Sequence, residues 1–178
     1  MTPEELRFHQ HFMRLALREA EQSIAADEVP CGCVIVALPE GCYDPALAHP
    51  PPPDHPWTAR ILARAYNQVE MLNDPTAHAE MIALTAATAT LGDRRLNRTA
   101  LYVTKEPCPM CAGAIVWARP DVVVWGLSDP DRGGESVFKI LSSPKTNHRP
   151  KIFTGILEAE CKLQFTDFFK NRRKVFGQ

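Results

Sequence analysis

The sequence predicts an α/β fold, a sandwich of helices on a sheet. Apolar residues recur at helical spacing near both ends of the chain. Short β-branched runs stand between them, and the two kinds of segment alternate along 178 residues. That length suits one domain, residues 1–178, with a full core of its own and no need of staples.

The elements follow in order. Thr2 through about Ala26 reads as an amphipathic helix. Thr2 can cap it, Pro3 suits its first turn, and Glu5 completes a Thr-x-x-Glu capping box. Leu6, Met13, Leu17, Ala20 and Ile24 recur at helical spacing and are expected to face the core. Cys31–Leu38 is a short apolar, β-branched run and so a buried strand. Residues 39–56 break the pattern: seven of those 18 positions are proline, including Pro50 through Pro53. Proline has no amide donor and favours extended backbone, so this stretch reads as a surface insertion, either a stiff hairpin extension or a polyproline segment for a partner.

Arg60–Tyr66 returns as the second strand, and Asn67–Pro75 reads as a loop. A helix is expected from about Thr76 to Leu91, stopped by Gly92. Ala100–Thr104 is the third strand. Pro109 opens a short helix through about Ala118, which Pro120 ends. Asp121–Gly126 is the fourth strand, a Gly-rich loop with a helical turn follows, and Lys151–Gly155 is the fifth. Glu158 to about Lys174 reads as a final helix. No internal repeat is visible.

Composition narrows the function classes. A hydrophobic fraction of 45%, a charged fraction of 23% and a net charge of -1 describe an ordinary globular chain, not a polycation. Nucleic-acid binding would therefore need a local patch. No apolar run approaches the roughly 20 residues of a membrane span. The opening Thr2-Pro3-Glu4-Glu5 lacks the basic and apolar regions of a signal peptide, so a cytoplasmic protein with no membrane partner is expected. Six cysteines in a reducing compartment point to metal or redox chemistry rather than disulfides. Cys31, Cys33 and Cys161 read as core.

The chemistry concentrates in His78-Ala79-Glu80 and Pro107-Cys108-Pro109-Met110-Cys111. The three-residue spacing sets Cys108 and Cys111 on one face of a helical turn. Helix starts favour thiolate over thiol through their partial positive charge and free amides. His78, in the first turn of its own helix, joins them as a third ligand. Three ligands are one short of a closed tetrahedron, which is the form of catalytic rather than structural zinc. One Zn2+ per subunit would lower the pKa of bound water to roughly 7. Glu80 stands two residues from a ligand, placed to take the water proton, pass it to a ring nitrogen and protonate a departing amine. The amides of Ala79 and Cys108 are placed to donate toward developing charge. His-x-Glu followed by Pro-Cys-x-x-Cys is a general signature of zinc deaminases of nucleobases. A thioredoxin-like role for the Cys-x-x-Cys pair competes, but it leaves His-x-Glu unexplained.

Beyond the zinc motif, several stretches resemble the bacterial tRNA-specific adenosine deaminases of the cytidine-deaminase-like superfamily: Val29-Pro30-Cys31-Gly32, Tyr66-Asn67, Asp74 through Glu80, Leu101 through Ala114, Asn147-His148-Arg149 and Asp167-Phe168-Phe169 with Arg172-Arg173. The resemblance covers nearly the whole chain apart from the insertion. It implies a three-layer α/β/α sandwich around a five-stranded mixed sheet, a homodimer, and hydrolytic conversion of adenosine to inosine at the wobble position of a tRNA anticodon loop. By motif position it implies that Asn67 reads the target base, that Asp129 is the loop acid touching the nucleotide, and that Phe169 lines the anticodon site.

Cations and aromatics near the C-terminus fit recognition of an unpaired RNA loop: Lys170, Arg172, Arg173 and Lys174 stand beside Phe168, Phe169 and Phe176, and Lys145, His148, Arg149 and Lys151 form a second group. Departures from the family pattern are Asp131 and Glu135 where a lysine usually follows the loop acid, and Lys105 at a position often apolar. Two alternatives remain: a deaminase of a free nucleobase or nucleoside of guanine or cytosine type, and a catalytically silent zinc module.

Overall fold

The computed structural model describes residues 1–40, 42 and 59–176. All of the Pro-rich insertion except Pro39, Glu40 and Cys42 lies outside the described residues, as do the side chains of Lys174 and Phe176; the hairpin-extension and polyproline readings of the insertion lie there too.

Helix α1, Pro3–Ala25, starts as its capping box dictates. Thr2 Oγ1 accepts from the Glu5 amide at 3.1 Å, and the Glu5 carboxylate accepts from the Thr2 amide at 3.2 Å. Its buried face carries Phe8, Phe12, Met13, Leu15, Ala16 and Ala20. Ile24 is a correction: it is 39% exposed. Its neighbour Ser23 points inward instead, donating to the Cys31 carbonyl at 3.0 Å while its own carbonyl accepts from the Glu28 amide at 2.8 Å. Neighbouring helical positions face directions about 100° apart, so burying Ser23 turns Ile24 out.

The strands are β1 Gly32–Ala37, β2 Arg60–Tyr66, β3 Thr99–Lys105, β4 Val122–Leu127 and β5 Lys151–Phe153. They form one mixed sheet in the order β2-β1-β3-β4-β5. β1 is antiparallel to both β2 and β3, whereas β3, β4 and β5 run parallel. The last strand stops at Phe153, short of the expected Gly155, because Gly155 takes a left-handed φ of 74° and turns the chain away.

Four helices complete the fold: α2 Val69–Leu72, α3 Ala79–Leu91, α4 Pro109–Ala118 and α5 Glu158–Phe176. α2 is one turn inside the segment read as a loop, ended by Asn73 at φ 50°. α3 begins three residues later than expected. The Thr76 amide and hydroxyl both donate to Asp74 Oδ1, at 2.8 and 2.7 Å, which holds residues 74–76 in a side-chain-closed turn.

Alternate strand residues feed two cores. Val34, Val36, Tyr102, Val122 and Val124 meet α1 and α5 residues such as Phe8, Phe12 and Cys161. Cys33, Ile35, Leu101, Val103, Val123 and Trp125 meet α3 and α4 residues such as Ala83, Leu84, Ala112 and Ile115. The result is the three-layer sandwich, and β1, β3 and β4 are buried on both faces, as their unbroken apolar runs require. Gly32 lets α1 cross the start of β1, since a Cβ there would stand 2.0 Å from the Ala16 carbonyl oxygen.

His9 sits inside the α1-side core. Its Nδ1 is 2.9 Å from the Tyr102 hydroxyl, and its ring packs 4.4 Å from that of Phe153. Burial drives its pKa down from 6.5 to about 4. The unfolded chain therefore binds this proton more readily. The stability held above pH 6.5 is lost as pH falls toward 4, and the loss amounts to roughly 3 kcal/mol. Urea unfolding of the wild type should show this decline between pH 6.5 and 4, and His9→Gln should flatten it. Parallel declines in the two proteins would assign the acid sensitivity elsewhere.

Candidate active site

Register brings the motifs together. Gly32 pairs with Tyr66, Cys33 with Val103 and Lys105 with Leu127, so the start of β1 and the ends of β2, β3 and β4 share one end of the sheet. Cys31, Asn67, Glu106 and the loop after Leu127 gather there. Parallel strands leave such a crevice beyond their carboxyl ends.

Two helix starts converge on it. His78 is the residue before α3, with extended φ and ψ, and not a member of its first turn; Cys108 holds the same place before α4. His78 Nδ1 lies 3.6 Å from Cys108 Sγ and 3.5 Å from Cys111 Sγ, and the three donor atoms lie within 4.8 Å of one another. Bonds of about 2.3 Å to sulfur and 2.0–2.1 Å to nitrogen at a tetrahedral angle separate the two atoms by about 3.5 Å, so the donor set fits zinc. The two thiols share one charge: a hydrogen bond from Cys111 lowers Cys108 to about 4, while Cys111, facing that thiolate, is pushed up. The bond to Cys108 raises His78.

Glu80 is 2% exposed, and burial raises its carboxyl above the ordinary carboxylate range. The Cys31 thiol donates toward Glu80 Oε2 at 4.0 Å. Cys33 and Cys161 are buried as read; Cys31 is partly exposed, packing against the α3- and α4-side core while also forming part of the cavity wall. Cys31, Cys33, Cys108, Cys111 and Cys161 form no disulfide.

A cavity of about 400 Å3 opens over this group, lined among others by Glu28, Asn67, His78, Glu80, Lys105, Cys108, Phe165, Phe169 and Arg172. A larger groove of about 750 Å3 runs between α1 and α5, but none of His78, Cys108 and Cys111 lines it. Among the sequence candidates, Asn67 is 7% exposed and Phe169 is 36% exposed, both on the cavity wall. Ala79 is buried at the first position of α3. Asp129 is outside the lining. Its carboxylate accepts from Lys105 Nζ and from the Asp131 and Arg132 amides at 3.1 and 3.0 Å. Burial raises Asp129, yet these donors outweigh it and hold its carboxyl below the usual range. Arg172 reaches the cavity while donating to Asp27 Oδ2 at 3.1 Å. Arg149, Lys170 and Arg173 are exposed and outside the lining.

Two buried acids escaped the sequence reading. Glu28 stands just before Val29-Pro30, and Glu106 just before Pro107-Cys108. Glu106, 3% exposed, accepts from the Asp129, Glu135 and Ser136 amides at 2.7, 3.1 and 2.6 Å and from the Ser136 hydroxyl at 2.6 Å. It fastens the loop of residues 129–136 over the site. Gly133 is required there, since a Cβ would stand 2.2 Å from Glu106 Oε1. Removing the acceptor strands four part-buried donors, each worth about 1 kcal/mol. Glu106→Ala should lower the unfolding free energy by roughly 3 kcal/mol or more in urea titration; a loss below about 1 kcal/mol contradicts the clamp.

A family model described as MafB19-like deaminase matches residues 57–173. A protein of Agrobacterium fabrum named tRNA-specific adenosine deaminase is 38% identical over 164 residues, covering 92% of this chain and 95% of its own length. A solved structure from biochemical and structural studies of A-to-I editing by tRNA:A34 deaminases at the wobble position of transfer RNA is 39% identical, with a TM-score of 0.72 over 86% of this chain and 98% of its own. A guanine deaminase structure from Bacillus subtilis is 32% identical, with a TM-score of 0.55 over 80% of this chain and 82% of its own.

Proposed function

This chain belongs to the family of tRNA-specific adenosine deaminases, and from that membership we propose that it converts adenosine to inosine at the wobble position of a tRNA anticodon loop. The observation that carries this reading is the trio His78, Cys108 and Cys111, with donors within 4.8 Å of one another, beside a buried carboxyl at Glu80.

His78, Cys108 and Cys111 would hold one zinc ion per subunit, which would make water nucleophilic at neutral pH. Glu80 takes a proton from the attacking water and gives it to N1 of the purine. It then takes the remaining proton from the new C6 hydroxyl and passes it to the amine, so that the C6–N bond breaks, the C6–O bond becomes a carbonyl, and ammonia leaves. Burial raises the Glu80 carboxyl above the usual range, which makes it a better proton acceptor than an exposed carboxylate. The Ala79 and Cys108 amides stabilise charge growing near the attacked carbon. Asn67 meets the base in the cavity, and Phe169 offers a face for an unpaired base. Arg172 at the cavity, with Arg149, Lys170 and Arg173 beyond it, meets phosphates, and Asp129 touches the nucleotide through the loop that Glu106 secures.

Residues 1–178 act as one deaminase domain. A homodimer is supported by the exposure of Trp117, 70%, and Phe138, 57%, large apolar side chains that association would cover. Among the described residues no helix is long and apolar enough to cross a membrane; a tRNA substrate would place the protein in the cytoplasm.

The likeness to a guanine deaminase favours a second reading, turnover of a free base in the same cavity. Incubating metal-loaded protein with an anticodon stem-loop and, separately, with guanine and cytosine decides between them. Inosine in the RNA with no turnover of free bases is the expected result, and the reverse pattern overturns it.

A further inference from the structure

Glu28 lies between α1 and β1 with its side chain almost wholly enclosed, 1% exposed. Its Oε2 accepts from Asn67 Nδ2 at 2.9 Å and its Oε1 from the Met71 amide at 2.8 Å. Its own amide donates to the Ser23 carbonyl at 2.8 Å, and the Asn67 amide donates to the Cys31 carbonyl at 3.0 Å. Glu28 and Asn67 both border the cavity over His78 and Glu80.

A carboxamide has a donor end and an acceptor end, and half a turn about its last bond exchanges them. Glu28 removes that freedom. Both of its oxygens accept, so only the nitrogen end of Asn67 can face it; the reversed amide would set oxygen against oxygen in an enclosed space, where an unmade hydrogen bond is expensive.

We propose that Glu28 is a positioning residue for substrate selection: it fixes the order in which the remaining N–H and the carbonyl oxygen of Asn67 are offered to the target base. This rests on the deaminase reading above, in which Asn67 meets the base. A base edge with the complementary order of acceptor and donor is matched, and one with the opposite order meets two like groups. Glu28 touches no reacting atom and acts only through Asn67.

The test is a cycle on the metal-loaded full chain with Glu28→Gln, Asn67→Ala and the double variant. Each is run on the anticodon stem-loop and on free guanine, so that the cycle is measured on whichever the wild type turns over. A wild type active only on guanine ends the RNA reading without deciding this one. The Glu28→Gln side chain can keep its oxygen on the Met71 amide, which turns its –NH2 toward Asn67 and favours the reversed amide. The expected result is a loss of about tenfold in kcat/KM with Asn67 present and less than about twofold in the Asn67→Ala background, with metal content and Tm unchanged. Equal losses in both backgrounds overturn the proposal and leave Glu28 as support for Met71 alone.

Should Glu28→Gln fail to fold, or the wild type act on neither substrate, stability reads the lock. The exchange of Glu28→Gln together with Asn67→Asp restores a donor against an acceptor and must be more stable than Asn67→Asp alone. Equal stability overturns the lock.

Discussion

Glu80→Gln will fold and hold its metal, yet its rate will fall by about 10²–10⁴, the span expected when a positioned proton carrier is lost. Glutamine keeps the shape of the side chain and removes only its capacity to take and return a proton. Because Glu80 is 2% exposed and burial already disfavours its charge, the neutral amide should leave stability at pH 7 unchanged or slightly improved. Ammonia release, metal analysis and urea unfolding on one preparation separate the possibilities. A slow variant with full metal and normal stability supports proton transfer by Glu80. A variant as fast as the wild type would refute the assigned mechanism, and a slow variant without metal would make Glu80 a support for His78 instead.

Cys111→Ala should remove metal and activity together. Cys111 is fully buried, 3.5 Å from His78 Nδ1, and without it His78 and Cys108 are left as the only members of the trio. Metal content should drop from about one ion per chain toward zero. Turnover should fall at least about 10³-fold, since the nucleophile depends on the ion. The same linkage predicts a stability effect: free zinc at about 1,000 times its dissociation constant stabilises a folded binding chain by about 4 kcal/mol. A chelator should therefore destabilise the wild type by about that amount and leave Cys111→Ala unmoved. Full metal content in the variant, or equal sensitivity of both proteins to the chelator, would contradict a site built on these three residues.

Much of this arrangement was legible in the sequence. The spacing of His78, Glu80, Cys108 and Cys111 carries its own chemistry, β2 spans the Arg60–Tyr66 run read as a strand, and α4 begins at Pro109 and ends before Pro120. Three kinds of feature were not legible. The start of α3 depends on whether Asp74 captures the Thr76 amide, a local competition that helix propensity does not register. The inward face of α1 near its end depends on Ser23 meeting Cys31, a contact made only after the chain has turned. Glu28 and Glu106 look like surface acids in a list of residues. They become enclosed because donors far along the chain close over them, Asn67 and Met71 on Glu28, and the 129–136 loop on Glu106. Likewise Cys33 lies within β1, but Cys31 stands just before it at the mouth of the sheet, where its thiol meets Glu80 and the cavity.

X-ray absorption of the zinc-loaded chain tests the central claim most directly. The account predicts two sulfurs at about 2.3 Å, one imidazole nitrogen at about 2.0–2.1 Å and one further light atom supplied by solvent. A third sulfur or a second protein nitrogen would close the fourth position and contradict it.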